Sequence, residues 1–380
     1  MRALLLLLLA AAPLRAAVTL PFDLVDNRIL IPVTVNGRGP YRMILDTGAG
    51  GLLVRDEVAQ ELGLAATSKD QEHGAGEATV TVSASRVDSV RLGGLDLGPL
   101  ECHFLSFADA PSLWGNERLD GVIGLPVFEG RIVRIDYERR RIAFEERSAF
   151  RPPRSAIRIP FERAGHIPMI AARLAGTRGR FGIHTGARSS LILYGPFVER
   201  NGLRQKLGAG ADMITGWGIG GAIRAQLARI PTLDLGGVAV RGVVARLSTQ
   251  KSGALAGDWL DGLIGPEVLR QFTVTFDYGA MSMFLEKNAR YGRADRWDGT
   301  GMWLGQRGDV FAVLDVMPGG PAADAGLHTG DEIVAIDGRP TGSLSLPSER
   351  LRLYYDGKPR RIELTLRDGR SIALALRRLV

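Results

Sequence analysis

Short hydrophobic stretches alternate with polar positions through most of the chain, and they predict a protein built mainly of β-strands. The stretch from Arg28 to Val35 reads as one strand, and Tyr41 to Leu45 reads as its hairpin partner across the turn Asn36-Gly37. Helical periodicity occurs in a short stretch from Asp56 to Leu62, which ends at Gly63. The pattern therefore predicts a mainly β fold.

An acidic residue stands where the second of these strands ends. Asp46 follows the apolar run Met43-Ile44-Leu45 and precedes Thr47 and Gly48, after which a second apolar run, Leu52-Leu53-Val54, begins. A carboxylate next to a buried strand costs free energy unless hydrogen bonds compensate it, so such a residue usually has a function. Taken alone, these residues are also explained by an Asx-turn between two strands.

The second half of the chain repeats the landmarks of the first half. His184-Thr185-Gly186 stands 138 residues after Asp46-Thr47-Gly48, and it too lies between two apolar runs. An internal repeat of this kind predicts two similar β-rich lobes. Three further pairs recur in the same order: Ile31-Pro32-Val33 with Ile167-Pro168-Met169, Asp120-Gly121-Val122-Ile123-Gly124 with Asp261-Gly262-Leu263-Ile264-Gly265, and Arg134-Ile135-Asp136-Tyr137 with Thr275-Phe276-Asp277-Tyr278.

Together these landmarks resemble the retropepsin and pepsin group of aspartic proteases over roughly residues 25 to 290. The resemblance implies a bilobal, mainly β acid-protease fold in which two duplicated lobes face each other. It also implies that two acids, one from each lobe, activate a water molecule that attacks a peptide carbonyl. Asp46 matches the first acid, but His184 stands at the position of the second. The residues that match the supporting turns are Thr47, Gly48, Thr185 and Gly186.

Each half also contains a glycine-rich hairpin that the resemblance identifies as a flap over the cleft. The first has Gly74 and Gly76 at its tip, and the second has Trp217 and Gly218. Trp217 is a candidate lid over the substrate, and a surface aromatic packed on its neighbours is the alternative. The stretch from Gly216 to Gly221 has the GxGxxG spacing of dinucleotide-binding proteins, but a flap hairpin lacks the helix that this motif requires.

A third unit follows the repeat. Its strand-like stretch Val310 to Val316, the turn and short helix of Pro318 to Leu327, and the hairpin of Gly330 to Gly338 resemble a bacterial-type PDZ domain. That family implies a loop whose backbone N–H groups receive a peptide C-terminus, while the next strand pairs with the peptide. In this sequence the loop falls on Gly299, Thr300, Gly301 and Met302.

The chain thus divides into four parts. A positive residue, an apolar run and small residues at the start predict a secretory signal peptide, so we expect export to the periplasm or the medium. The apolar run is short for a bilayer span, and we expect no integral membrane segment in the mature chain. The predicted boundaries are a signal peptide at 1–17, an N-terminal lobe at 18–150, a C-terminal lobe at 151–290 and a PDZ domain at 295–380.

The net charge of +7 does not by itself indicate nucleic-acid binding. The arginines are dispersed, and the densest run, Arg139-Arg140-Arg141, falls at a hairpin tip, so no nucleic-acid partner is expected. The single cysteine, Cys102, excludes an intrachain disulfide, and its apolar, strand-like surroundings favour buried packing over a thiol nucleophile. The five histidines show no metal-ligand spacing, so neither a metal nor another cofactor is expected.

Two functional classes stay open. An exported peptidase would use Asp46 and His184 on a shared water, because an aspartate and a histidine can be charged together and can exchange protons with substrate. A non-catalytic protein would keep the cleft only for binding peptides, since a fold alone does not establish a function. A dimer that joins two copies of Asp46 is a third option, but the repeat already supplies a partner lobe, so a monomer is expected.

Overall fold

The computed structural model describes residues 17–106 and 113–380, of which 49% are strand and 11% helix. The mainly β fold predicted from the sequence is therefore confirmed. The predicted signal peptide lies almost wholly outside the described residues. Within the two described ranges, no helix is long and apolar enough to span a membrane.

The first half of the chain contains eleven strands and two short helices among the described residues. The strands are β1 (Val18–Pro21), β2 (Asp23–Val25), β3 (Arg28–Val35), β4 (Arg38–Leu45), β5 (Leu52–Arg55), β6 (Ser68–His73), β7 (Thr79–Leu92), β8 (Leu95–Leu105), β9 (Gly121–Ile123), β10 (Ile132–Asp136) and β11 (Arg141–Glu145). The helices are α1 (Asp56–Glu61) and α2 (Leu125–Phe128).

The second half repeats this series strand for strand. Its strands are β12 (Ile157–Pro160), β13 (Glu162–Ala164), β14 (Ile167–Leu174), β15 (Thr177–Ile183), β16 (Leu191–Leu193), β17 (Asp212–Gly218), β18 (Gly221–Asp234), β19 (Ala239–Ser248), β20 (Gly262–Ile264), β21 (Phe272–Asp277) and β22 (Ser282–Lys287). Its helices are α3 (Gly195–Arg200), α4 (Leu203–Lys206) and α5 (Pro266–Leu269), with a 3₁₀ turn at Ala254–Ala256.

The two lobes have the same sheet topology. The order is β2-β3-β4-β9-β5-β8-β7-β6 in the N-terminal lobe and β13-β14-β15-β20-β16-β19-β18-β17 in the C-terminal lobe. Each strand of the second sheet is the counterpart, eleven strands later, of a strand in the first. Even the parallel pairs repeat, as β4 with β9 and β15 with β20. The duplication predicted from the four sequence landmarks is thus confirmed as two similar lobes.

A six-stranded sheet joins the lobes, in the order β1-β11-β10-β21-β22-β12. Its central ladder pairs β10 of the first half with β21 of the second, with Arg134 opposite Thr275. The sheet reads the same from either end when each strand is replaced by its counterpart, so a pseudo-two-fold axis passes through its centre. The apolar side chains beneath it belong to one core that includes both lobes.

Alternation of side chains explains why the strands form where the sequence pattern places them. In β3, Ile29, Ile31, Val33 and Val35 are all fully buried on the core side, as a strand with period two requires. Two glycines then allow the strands to cross beneath the functional turns. A Cβ at Gly124 would lie 1.9 Å from the carbonyl oxygen of Ala49, so only glycine fits there. A Cβ at its counterpart Gly265 would lie 2.1 Å from the carbonyl oxygen of Ser189.

The PDZ unit has its own hydrophobic core and packs against both lobes. On the C-terminal lobe, the carboxylate of Asp315 accepts a hydrogen bond of 2.6 Å from the amide of Ile214. In the stretch before the unit, Asp295 and Trp297 are buried, and Asp295 accepts hydrogen bonds from Ser190 and Val244. The elements are β23 (Met302–Arg307), β24 (Val310–Val316), β25 (Glu332–Ile336), β26 (Arg339–Pro340), β27 (Arg360–Leu366), β28 (Ser371–Leu376), α6 (Pro321–Asp324), a 3₁₀ turn (Thr341–Ser343) and α7 (Leu346–Arg352).

Candidate active site

Two threonines lock the turns of the two lobes together at the centre of the molecule. The amide of Thr47 donates to Oγ1 of Thr185 at 3.0 Å, and the amide of Thr185 donates to Oγ1 of Thr47 at 3.1 Å. Each hydroxyl in turn donates across the axis, from Thr47 to the carbonyl of Ile183 and from Thr185 to that of Leu45. Both threonines are buried, so the turns cannot separate without leaving polar groups unpaired.

These bonds place Asp46 at the end of β4, where backbone groups of both turns hold its carboxylate. Oδ1 accepts hydrogen bonds from the amide of Gly48 at 2.6 Å and from the amide of Gly186 at 3.1 Å. The second donor comes from the other lobe, so the carboxylate is positioned only when the lobes are together. Both backbone bonds end on Oδ1, which leaves Oδ2 as the oxygen for a reacting molecule.

The structure brings His184 next to this carboxylate. Nδ1 of His184 lies 3.0 Å from Oδ1 of Asp46. The two groups are not aligned as a hydrogen bond, so we treat the contact as an ion pair. The side chains of His184 and Asp46 are 22% and 13% exposed, respectively, so both remain partly open to the cleft.

The pair shifts the pKa of each member toward its charged form. Burial raises the pKa of Asp46, but the charge of His184 and the hydrogen bonds from Gly48 and Gly186 outweigh burial, so the pKa lies below its ordinary value. Burial lowers the pKa of His184, and the neighbouring carboxylate outweighs it, so that pKa lies above its ordinary value. Each member of the pair thus favours the charged form of the other, an Asp46 carboxylate beside a His184 imidazolium.

The glycine of each turn makes room for the functional side chain of the other lobe. A Cβ at Gly48 would lie 2.7 Å from Nε2 of His184, and a Cβ at Gly186 would lie 2.3 Å from Oδ2 of Asp46. Both contacts are closer than a side chain permits. Gly48 and Gly186 are thus required by close approach, which explains two of the four turn residues singled out from the sequence.

Two further residues, which the sequence did not predict, contact the carbonyl groups of the same two glycines. Nε of Arg28 donates to the carbonyl of Gly186 at 2.9 Å. Nε2 of His166 contacts the carbonyl of Gly48 at 2.7 Å, and it carries the proton there because a carbonyl only accepts. Arg28 is the first residue of β3 and His166 directly precedes β14, so the two occupy equivalent positions of the repeat, but no local sequence pattern marks either contact.

The two predicted flaps meet above the turns. The first flap is the hairpin of β6 and β7, and the amide of Gly76 in its tip donates to the carbonyl of Ile219 in the hairpin of β17 and β18. The carbonyl of Gly74 accepts from the amide of Ala254. A Cβ at Gly76 would lie 2.1 Å from the backbone of Gly220, so the closed arrangement requires glycine at the tip.

The structure places Trp217 and Gly218 in β17, just before the tip formed by Ile219 and Gly220. Trp217 is half-buried rather than fully exposed. Gly218 faces the first flap, where a Cβ would lie 2.9 Å from the side chain of Ala75. The second flap therefore contributes to the roof through its glycines.

The PDZ loop is also well defined, but an aspartate of the chain already uses its amides. Oδ1 of Asp298 accepts hydrogen bonds of 2.8 Å from the amides of both Thr300 and Gly301. The amide of Met302 donates to Oγ1 of Thr300 at 3.2 Å, and Gly299 bonds to the backbone of Leu353. The N–H groups that the sequence assigned to a peptide carboxylate are thus engaged within the chain.

A segment of the N-terminal lobe covers the groove between β23 and α7. The carbonyl of Leu113 accepts from Arg350 of α7 at 2.7 Å. Gly115 leaves no room for a side chain, since a Cβ there would lie 3.0 Å from Leu346 and closer to Gln306 of β23. Ser345 donates to Glu117 at 3.0 Å. Because β23 is an edge strand, this segment occupies the place that a pairing peptide would take.

Two further observations concern a thiol and a metal site. Cys102 is buried in β8, and burial raises its pKa to about 12, so the thiol is not activated as a nucleophile. Over residues 17–106 and 113–380, no group of three or more histidine, cysteine, aspartate or glutamate side chains is arranged to hold a metal ion.

Comparison with known families agrees with both parts of this architecture. Residues 31–127, which contain Asp46, match the family model of aspartyl proteases, and residues 313–351 match that of PDZ domains. The resemblance inferred from the sequence, an aspartic-protease-like region followed by a PDZ domain, is thereby confirmed. A PDZ domain implies peptide binding.

Among solved structures, the chain is similar to the aspartic proteinase from Irpex lacteus. The identity is 14%, the TM-score is 0.46, and the alignment covers 73% of this chain and 99% of that protein. No curated protein matches the chain.

The first prediction concerns the threonine lock. Thr47→Val removes a hydroxyl and leaves the amide of Thr185 and the carbonyl of Ile183 without partners, so we expect a loss of about 2–4 kcal/mol in the free energy of unfolding. Thr185→Val should cost a similar amount, and the double variant should cost less than the sum, because both residues belong to one hydrogen-bond network that loosens when either hydroxyl is lost. Urea unfolding measures all three. Thr19→Val, on an exposed position of β1, is the control, and equal losses in the control would contradict the assignment.

The second prediction follows from the directions of the two pKa shifts. The lowered pKa of Asp46 contributes stability that is fully present above pH 3.8, the ordinary pKa of an aspartate. This stability is lost as the pH falls through the pKa that Asp46 has in the folded protein. The raised pKa of His184 contributes stability that is fully present below pH 6.5, the ordinary pKa of a histidine. This stability is lost as the pH rises through the pKa that His184 has in the folded protein. The difference in unfolding free energy between wild type and His184→Gln should therefore peak between these two limits. A difference that does not vary with pH would exclude the ion pair.

Proposed function

We propose that the chain is an exported aspartic-type endopeptidase that hydrolyses peptide bonds with a water activated between Asp46 and His184. The proposal rests on the position of the Asp46 carboxylate. Backbone amides of both lobes donate hydrogen bonds to its Oδ1, which leaves Oδ2 to bind that water. Its lowered pKa keeps it ionised near neutral pH, as a general base requires.

His184 takes the acid's role in this proposal. Its raised pKa favours an imidazolium, which polarises the carbonyl of the scissile bond and stabilises the oxyanion that forms when water attacks. The proton that Asp46 removes from water then passes to the departing amine. In a pair of aspartates, one shared proton makes one residue the base and the other the acid. Here Asp46 is the base and His184 is the acid because the two side chains differ chemically.

The flaps and the PDZ domain have supporting roles in the proposal. The flap tips close over a bound peptide and exclude water, which strengthens the electrostatic interactions inside. The PDZ domain binds C-termini of peptides or proteins when the segment of residues 113–117 and Asp298 release its groove and loop, and so selects or holds substrate. The signal sequence directs the chain out of the cytoplasm. After export, the protein acts as a monomer and without a cofactor.

A second function fits one observation. His184 forms an ion pair with Asp46, and such a pair could serve only to stabilise the two turns. The protein would then be a peptide-binding pseudoprotease with an intact cleft.

The third prediction separates these functions by digestion of a peptide library. Asp46→Asn keeps the shape of the side chain and removes its charge, so kcat/KM should fall by about 10²–10⁴-fold. His184→Asp recreates a carboxyl pair that needs a shared proton, so the pH optimum should move toward acid. Arg188, the nearest buried cation along the chain, is bound to Asp26 at 2.8 Å and does not compete for the new carboxylate.

The outcomes of this experiment are distinct. A wild type that cleaves nothing, together with an active His184→Asp variant, identifies the pseudoprotease. Cleavage that survives Asp46→Asn in a clean preparation places the chemistry elsewhere in the chain and rejects the proposal.

The fourth prediction tests the flaps. Gly76→Ala places a Cβ against the backbone of Gly220, so the tips cannot close, and kcat/KM should fall by about tenfold or more. Gly94→Ala is the matched control, because its Cβ would be at an ordinary distance of 3.5 Å from Val18. Steady-state kinetics on one library-derived peptide compares the two. Equal rates for Gly76→Ala and wild type would show that closure is not needed.

A further inference from the structure

Arg246 of β19 is a buried arginine without a counter-ion. The residue is only 2% exposed. Nε and Nη2 have no hydrogen-bond partner among the described residues, and the guanidinium forms no ion pair with any of them. Its one close partner is the ring of Trp297, whose centre lies 5.1 Å from the guanidinium carbon. A buried charge without a counter-ion costs free energy, so the stability of the lobe does not explain this residue.

The register of the C-terminal sheet connects Arg246 to the catalytic turn. Arg246 lies beside Ile192 of β16, and Ile192 lies beside Leu263 of β20. Leu263 is in turn beside Gly182 of β15, two residues before His184. Paired residues share a face of a sheet, and so do alternate residues of one strand. The four residues therefore form a row on the face of the sheet that leads to His184.

The same row lies beneath the flaps. Ile192 packs in one apolar cluster with Ile223 of the second flap and Ala75 at the tip of the first. Gly216 of the second flap lies against the guanidinium, because a Cβ there would be 2.7 Å from Nη1 of Arg246. The side chain of Arg246 thus ends at the wall of the cleft, under the second flap.

The N-terminal lobe has a different residue at the equivalent position. Leu53 of β5 is the counterpart of Ile192 in the repeat, and the residue beside it on β8 is His103. The side chain of His103 is 41% exposed and lies 3.7 Å from Glu101. An arginine at this position, buried and without an acidic partner, therefore occurs in only one of the two lobes.

The surroundings of Arg246 do not supply the missing negative charge. Burial, and after it the charge of Arg188, lowers the pKa of Arg246 to about 9, and Arg28 acts in the same direction. Asp26 acts in the opposite direction, but its carboxylate is already paired with Arg188 at 2.8 Å and with Arg28 at 2.9 Å. Arg246 is still charged near neutral pH, and its guanidinium is available to an anion from outside the chain.

We propose that Arg246 is a specificity-determining residue that binds an acidic side chain of the substrate beneath the second flap. The carboxylate of an aspartate or glutamate supplies the acceptors and the charge that the guanidinium lacks. A guanidinium donates two parallel hydrogen bonds to such a group, which a neutral amide does not match. This role rests on the function proposed above and names its substrate class, which is peptides with an acidic residue near the cleavage site.

The row across the sheet also indicates which substrate residue is selected. Arg246 is three strand spacings from Gly182, which corresponds to roughly 14 Å between their backbones. An extended peptide advances about 3.3 Å per residue, and the arginine side chain covers part of the gap. We therefore expect the acidic residue about two to four positions from the scissile bond, not next to it.

The acidic side chain enters when the second flap opens. In the closed arrangement, Gly216 occupies the space next to Nη1 of Arg246. The pairing of β17 with β18 has a register shift between Ile214 and Gly216. Such an irregularity interrupts the hydrogen-bond ladder and bends the strand. The flap is thus already irregular at the point that must move to admit the carboxylate.

The test uses the mature chain and a library of randomised peptides with amidated C-termini, which offer no terminal carboxylate to the PDZ domain. Peptides retained by the immobilised protein are sequenced, together with any cleavage products. Wild type should favour glutamate or aspartate over glutamine or asparagine at one position, by about 10–100-fold. Arg246→Met keeps the length of the side chain without its charge and should lose this preference. Arg173→Met, at an exposed arginine of the same lobe, should keep it.

Two further variants separate binding from a structural role. Arg246→Lys keeps the charge without the planar pair of donors, so the acid preference should persist at the same position in weaker form. Arg246→Gln is a second neutral variant and should lose the preference, whether or not Arg246→Met folds normally. Arg246→Met should unfold at a urea concentration no lower than wild type, because it removes a buried charge without a counter-ion.

The outcomes also distinguish this role from the proposed peptidase. Cleavage that depends on Asp46, with no acid preference or with one that the neutral variants retain, overturns the role of Arg246 alone. An acid preference among retained peptides that Arg246→Met loses, in a protein that cleaves nothing, supports the role and overturns only the peptidase. A wild type that neither retains nor cleaves any peptide overturns both.

Discussion

The four hydrogen bonds between Thr47 and Thr185 and the opposite turns are the constraint on which the site depends. They fix the distance between two loops that are 138 residues apart in sequence. Three features of the site follow from that distance. They are the backbone donors to Asp46, the space for the side chain of His184, and the contacts of Arg28 and His166 with the carbonyls of the turn glycines. Because every partner is buried, the lock is intact only when both lobes are folded together.

The replacement of an acid by His184 changes the electrostatics of the centre more than its geometry. Two carboxylates at this distance repel, and a shared proton is needed to hold them together. An imidazolium and a carboxylate attract, so the pair is stable without a shared proton. The glycine at the opposite turn accepts the larger ring, since Gly48 already presents no Cβ toward it.

The sequence was sufficient for those features that repeat or that depend on near neighbours. The Asp46 and His184 turns, the two similar lobes and the hairpin flaps were predictable because both halves show the same pattern. The contact of Arg28 with Gly186 joins residues 158 positions apart, and no local pattern indicates it. The docking of the PDZ domain was equally hidden, because Arg188, Trp303 and Arg350 come from separate units and meet only after each has folded.

The sheet between the lobes has a consequence for how this chain holds together. Its middle ladder joins β10 to β21, whereas the covalent connection between the halves runs from β11 to β12, two strands on opposite sides of that ladder. Arg134 and Glu286 add an ion pair of 2.8 Å across the same sheet. Covalent continuity is therefore not what keeps the lobes in register. A chain cut in that connection would remain a tightly associated heterodimer, with the architecture of an obligate two-subunit protein encoded in a single polypeptide.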